Sequence, residues 1–434
     1  MNPNRLKTAS LGIQHVLAMY AGAVLVPLIV GGAVGMDAAQ LTYLVSIDIF
    51  MCGIATLLQV YRGKWVGIGL PVVLGCTFTA VSPMIAIGAA NGVSAIYGAI
   101  IASGVFVLLV APFFSRLVRF FPPVVTGSVV TIIGLTLVPV AMNNMGGGQG
   151  SPDFGSSENI TLAFATLAII LVLYRFFEGF ARSISVLIGL LAGTAIAAFM
   201  GKVDFSAVTE ASWFHFIQPF YFGIPSFEWT GVITMILVAM VSLVESTGVY
   251  FAISDICDEE VTEKDLAKGY RAEGLAIVLG GIFNAFPYTA FSQNVGLMQL
   301  SGIKSRNVIF YTAGFLILLG LVPKIGAFTT IIPSSVLGGA MIAMFGMVVA
   351  QGIKMLGRVD MNAQENLLII ACSVGLGLGV TVVPDLFAGL PGGVQILTGN
   401  GIVAGSVTAI VLNIIFNEIG RKKAPVSVVE NKVS

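Results

Sequence analysis

Charge is scarce in this sequence. Only 10% of its 434 residues are Asp, Glu, Lys or Arg, against about 25% in a soluble domain. A chain this poor in charge cannot cover a globule with polar surface. Lys plus Arg equal Asp plus Glu at 21 each, so no basic surplus exists to hold nucleic acid. Cysteine is sparse too. Cys52, Cys76, Cys257 and Cys372 lack the spacing of a disulfide framework or a metal site, and neither metal nor cofactor is expected. Cys52, Cys76 and Cys372 fall in apolar segments, where a thiol behaves as a small hydrophobe. The loops carry no P-loop, HExxH or GxSxG motif, which argues against an enzyme.

What the chain has is oil. Hydrophobic residues make up 57% of it, in runs that recur from end to end and have the ~20-residue length of a membrane-crossing helix. The fold class is an all-α polytopic membrane protein. About 14 spans centre near residues 22, 50, 78, 104, 132, 167, 192, 241, 281, 296, 315, 342, 372 and 407. The run after "MNPNRLKTAS" is too long for a signal-peptide core and reads as a retained first span. With the N-terminus in the cytoplasm, every Lys and Arg except Lys202 and Lys324 falls on the cytoplasmic side, Arg116 and Arg119 among them. This is the positive-inside asymmetry, and it puts both termini inside.

The segments near 78 and 296 are poor as continuous helices. "FTAVS" (Phe78 to Ser82) resembles "YTAFS" (Tyr288 to Ser292), and 210 residues separate Phe78 from Tyr288, as they separate Pro123 from Pro333. One shift near half the chain length suggests a duplication. With seven spans in each half, the second half enters the membrane upside down, the inverted-repeat plan of many secondary transporters. Matching interruptions in the two halves point to a midplane site between Thr77–Ser82 and Thr289–Asn294. Short extended stretches are expected at the breaks in spans 3 and 10.

Polar residues inside spans default to function or pairing, because burying them is costly. Glu245 in "VAMVSLVESTG" has no Lys or Arg at its depth and reads as a substrate or proton site in preference to a packing residue. Glu273 follows Arg271 closely, so a local ion pair competes with a functional role. Asp48 is a proton relay or a packing hydrogen bond. His15, in the first span, carries protons or holds a neighbouring helix. Glu365 marks a helix start. His215 lies in the aromatic stretch "SWFHFIQPFYFG", an interfacial segment, and "DEEVTEKDLAKGYRAE" reads as a solvated loop. The adjacent amides Gln293 and Asn294 pose the sharpest question. An amide offers an acceptor and two donor hydrogens without charge, which suits a neutral heterocycle; the plainer reading is a clamp between helices.

At these residues the sequence resembles the nucleobase–ascorbate transporter family, nearest its bacterial xanthine and uric acid permeases. The family's tenth-span signature fits "QNVGLMQLSG" at Gln293, Asn294, Gly296 and Gly302, with Ser301 where Thr is usual. The first-span Gln-His pair matches Gln14–His15, and the acidic residues of spans 8 and 9 match Glu245 and Glu273, the latter a Glu where Asp is common. The resemblance implies a core domain (residues 1–115, spans 1–4, and 229–323, spans 8–11) moving against a gate domain (116–228, spans 5–7, and 324–420, spans 12–14), with a cytoplasmic tail at 421–434. It also implies a homodimer in the cytoplasmic membrane and proton symport. Glu245, Gln293, Thr77, Phe78, Tyr288 and Asn294 would bind a purine, with Asn294 supporting Gln293. Glu245, Glu273 and His15 would serve proton coupling.

Xanthine is the favoured cargo, since Gln293 can pair with a purine C=O/N–H edge. The small Thr77 leaves room for the 8-oxo group of urate, and another base such as uracil stands behind that. An anion carrier of the related sulfate-transporter fold would need basic or backbone-dipole anion sites where this chain offers two acidic groups and amides. A membrane enzyme or a passive channel accounts for less still.

Overall fold

The computed structural model describes residues 3–117, 121–302, 304–387, 389–390, 394–395 and 398–419. Arg119, the side chain of Ser301 and the tail at 421–434 lie outside the described residues. Among the described residues the regular structure is helical apart from two three-residue strands. In order, the elements are α1 (Pro3–Ala33), α2 (Ala38–Val60), β1 (Leu74–Cys76), α3 (Val81–Asn91), α4 (Val93–Leu117), α5 (Pro123–Met145), α6 (Ser157–Phe176), α7 (Gly179–Ser183), α8 (Ser185–Phe199), α9 (Ser206–Glu210) and α10 (Trp229–Cys257). There follow α11 (Glu263–Ile282), β2 (Tyr288–Ala290), α12 (Ser292–Ser301), α13 (Arg306–Gly320), α14 (Pro323–Thr330), α15 (Ser334–Leu356), α16 (Gln364–Val382) and α17 (Gly401–Asn413).

Nine helices among the described residues are long and apolar enough to cross a membrane. This is a multi-pass membrane protein. Five of the fourteen expected segments fall outside that class, each for a visible reason. Those near 78 and 296 are broken by the strands. The one near 192 is a 15-residue helix. α13 meets α14 at a 78° bend, where Pro323 opens the second helix. α11 carries charge through its first half, from Glu263 to Glu273. This last point corrects the expected loop at "DEEVTEKDLAKGYRAE": Thr262 and Asp265 form a reciprocal capping box that starts a helix there. Glu365 sits in the first turn of α16, as expected.

The packing is doubled. α4 lies on α11 as α2 lies on α13; α6 packs on α8 as α16 packs on α17; and α5 crosses α15. That crossing is close because glycine permits it: a Cβ at Gly338 would lie 2.2 Å from the backbone nitrogen of Met145. The two half-helices α3 and α12 begin at Val81 and Ser292, and α5 and α15 at Pro123 and Ser334, 211 residues apart in both cases. The strands do not obey this shift. β1 and β2 start 214 residues apart, so "FTA" forms a turn of 3₁₀ helix at Phe78–Ala80 while "YTA" is the strand itself.

Candidate functional site

The two breaks meet. β1 and β2 pair antiparallel, with Leu74 opposite Ala290, Gly75 opposite Thr289 and Cys76 opposite Tyr288. Each strand uses the other for the backbone groups that leaving a helix sets free, the condition for irregular chain inside a bilayer. The pairing continues beyond the ladder, with Thr77 N–H donating to the carbonyl of Pro287 and Phe291 N–H to that of Val73, at 2.9 and 3.0 Å. Gly75 has no alternative here: a Cβ would stand 2.0 Å from the ring of Phe291.

One face of α10 reads both breaks. Ser242, Glu245 and Ser246 share it, being three and four residues apart. Ser242 lies 3.4 Å, hydroxyl to hydroxyl, from Thr77. Thr79 donates to Glu245 Oε2 at 3.2 Å. Ser246 meets the Thr289 hydroxyl at 3.0 Å and accepts the Ala290 N–H at 3.1 Å. Phe78 turns to the helices on the other side, its ring edge-on to Phe345 of α15 at 5.5 Å.

The other expected residues occupy different places. Glu273 is wholly buried and accepts from the Tyr250 hydroxyl, which in turn accepts from Gln59. The ion pair with Arg271 does not form, because that guanidinium lies over the Trp65 ring at 5.3 Å. His15 is joined to Asn294, whose Nδ2 donates to His15 Nδ1 at 3.0 Å and to the His15 carbonyl at 3.2 Å. Nδ1 therefore accepts, and the ring hydrogen sits on Nε2. Asn294 thus braces α12 against α1 and makes no bond to Gln293. Tyr288 is buried with Gly280 against its ring, on the strand face opposite Thr289. Asp48 accepts from Cys76 Sγ–H and, at 2.9 Å, from Phe286 N–H. That ties α2 to both breaks. The structure also brings Cys52 and Cys76 to 3.9 Å, and Cys372 proves exposed.

Gln293 stands in the first turn of α12, half-buried and without a hydrogen-bond partner among the described residues. It lines a cavity of about 230 Å³ with Phe291, Gly22, Arg182 and Met344. Glu245, Thr77, Phe78 and Tyr288 do not line that space. The hydrogen bonds locate the polar centre, and the cavity reaches only its Gln293 side. Among the described residues no cluster of His, Cys, Asp or Glu could hold a metal. No Lys or Arg pairs with Glu245, Glu273 or Asp48 among them either.

Sequence reasoning placed Thr79 only within the Thr77–Ser82 stretch, and it missed Tyr250 and Gln59. Thr79 sits within "FTAVS", where its hydroxyl was a visible signal. Tyr250 and Gln59 were the polar groups of "VESTGVYFA" and "TLLQV", but only the packing of α2, α10 and α11 shows that they reach Glu273.

Paired broken helices with carboxyls and amides gathered at the breaks are an arrangement of membrane transporters. Comparison with known proteins agrees. The family model Xan_ur_permease, a permease family, matches residues 6–386. The chain is 69% identical over 417 residues to the xanthine permease of Bacillus subtilis (strain 168), covering 96% of this chain and 95% of that one. It is 66% identical over 413 residues to the uric acid permease PucK of the same organism, covering 95% and 96%. Among solved structures, the transmembrane domain of a cyanobacterium bicarbonate transporter, BicA, superposes with a TM-score of 0.62 at 16% identity, over 94% of this chain and 98% of that one; at that identity it speaks for the fold alone. The chain belongs to the nucleobase–ascorbate transporter family.

Proposed function

We propose that the protein imports xanthine with a proton across the cytoplasmic membrane by alternating access. The observation that carries this is the α10 face, where Glu245 meets the first break through Thr79 while Ser246 holds the second. A purine between the breaks would present ring N–H groups to Glu245 and a C=O/N–H edge to the unpartnered amide of Gln293. Thr77 and Phe78 shape the pocket from the first break. Tyr288 and Asn294 support it, through the strand and through α12. Glu245 and Glu273 each meet only neutral donors in the structure, which suits carboxyls that take up and release the coupled proton, and His15 organises α12 beside them.

Fourteen spans, arranged as two inverted repeats of seven, place both termini in the cytoplasm. The core (residues 1–115 and 229–323) moves against the gate (116–228 and 324–420), and Phe78 against Phe345 is one contact that the movement breaks. The working unit is a homodimer. Urate is the second reading, favoured by the nearly equal identity to the xanthine and uric acid permeases.

The test is uptake of labelled xanthine into cells lacking their own purine carriers, against excess urate, uracil, guanine and hypoxanthine, with and without a protonophore. Saturable uptake that ignores uracil and collapses with the protonophore supports the reading. Urate uptake with weak xanthine uptake shifts the cargo to urate. Accumulation indifferent to the protonophore removes the proton.

A further inference from the structure

The cavity beside Gln293 has one formally charged residue in its described wall, Arg182, and nothing in the proposed site uses it. Its guanidinium is held against Tyr174. Nε–H donates to the Tyr174 carbonyl at 3.1 Å, and Cζ lies 4.9 Å from the centroid of the Tyr174 ring. These contacts fix the plane and engage one nitrogen. The two Nη groups make no hydrogen bond, and no carboxylate pairs with them, among the described residues. A guanidinium keeps its charge at any physiological pH and binds planar oxygen acceptors in a fork. The rest of the wall is mostly apolar: Leu17, Ala18, Val186, Phe291, Met344 and Met347. Arg182 is half-buried and its bond to Tyr174 faces solvent, so its pull on an anion is partly screened by water.

Oxopurines differ in this respect. At neutral pH urate is a monoanion, whereas hypoxanthine is neutral and xanthine largely so. We propose that Arg182, held on Tyr174, forms a second purine subsite in the cavity beside Gln293 that favours anionic oxopurines, urate above all, over neutral ones. The subsite rests on the reading of the chain as a purine carrier. Arg182 is then a specificity residue, and the contacts at the α10 face need not account for the choice between xanthine and urate alone.

The experiment compares KM for labelled urate and labelled hypoxanthine in the wild type, Arg182→Lys and Arg182→Gln, at equal membrane abundance. Arg182→Gln should raise the urate KM roughly tenfold and leave the hypoxanthine KM within about twofold, with Arg182→Lys between, since it keeps the charge and loses the fork. Tyr174→Leu keeps Arg182 but removes the stack, and should move the urate KM in the same direction by roughly threefold. It serves if Arg182→Gln fails to reach the membrane. Equal shifts for both purines, or none, would overturn the subsite while leaving the carrier reading intact. Uptake of no purine by the wild type would overturn both.

Discussion

The two breaks occupy matched places in the chain and are built differently. In the first, four residues, Thr77–Ala80, separate the strand from its half-helix; in the second, Phe291 alone does so. The extra turn carries Thr79 across to Glu245, and Thr77 to Ser242. The second break has no such turn. Its strand is fastened to Ser246 by a side chain and a backbone N–H, and its half-helix to α1 through Asn294 and His15. A duplicated frame has thus been given one half that reaches for the carboxyl on α10 and another that is pinned down, with Gln293 exposed to the cavity. A binding site for an asymmetric heterocycle needs such unlike halves.

Substitutions can break this contrast to different depths. The deepest is Glu245→Gln, which removes the ionisable group on α10 that the first break reaches. Purine uptake should fall by more than about 100-fold, in line with loss of a group essential to the cycle, while xanthine binding in detergent persists; loss of binding in equal measure would make Glu245 a purine contact and nothing more. Gly75→Ala comes next. Its methyl has no room beside Phe291, and overpacking of this kind costs about 1–3 kcal/mol. A clear drop in the unfolding temperature of the purified protein is expected, and an unchanged one would mean that the strands are free to part.

Ser246→Ala strikes the pinned half, leaving the buried Ala290 N–H without its acceptor, a cost of about 1–3 kcal/mol. Uptake should fall roughly tenfold with a lowered melting temperature, whereas Thr79→Ser, which keeps the hydroxyl of the reaching half, should stay within about twofold of the wild type. If Thr79→Ser were as damaging as Ser246→Ala, the Thr79 methyl would matter more than its bond to Glu245. At the bottom of the scale, Lys304→Ala removes an exposed pair with Asp258 just past α12. Surface pairs of this kind contribute little, and uptake should be unchanged.

Much of this was legible in the sequence, because the signals were local or periodic. Apolar run lengths placed the nine long apolar helices, though the centre expected near 281 fell at the C-terminal end of α11; Gly and Pro marked the breaks, and the prolines at 123 and 333 gave the repeat to within one residue. The tertiary partners were not legible. Arg271 stands two residues before Glu273, yet it turns to Trp65 while Glu273 finds Tyr250. Asn294 adjoins Gln293, yet on a helix successive residues face apart, and it meets His15. Asp48 had no basic neighbour to suggest a partner, and its partners came from the strand and the loop before the second break, Cys76 and Phe286. The charged run that opens α11 misled for another reason: acidic residues in a first turn favour a helix start as well as they favour water.

The central claim is that a purine lies between the two breaks, with its ring N–H groups on Glu245 and its carbonyl edge on Gln293. A structure of the protein with xanthine bound tests it most directly. The base is expected within hydrogen-bond distance of both side chains, in contact with Thr77 and Phe78. A base seated only in the cavity at Arg182, touching neither Glu245 nor the paired strands, would contradict it.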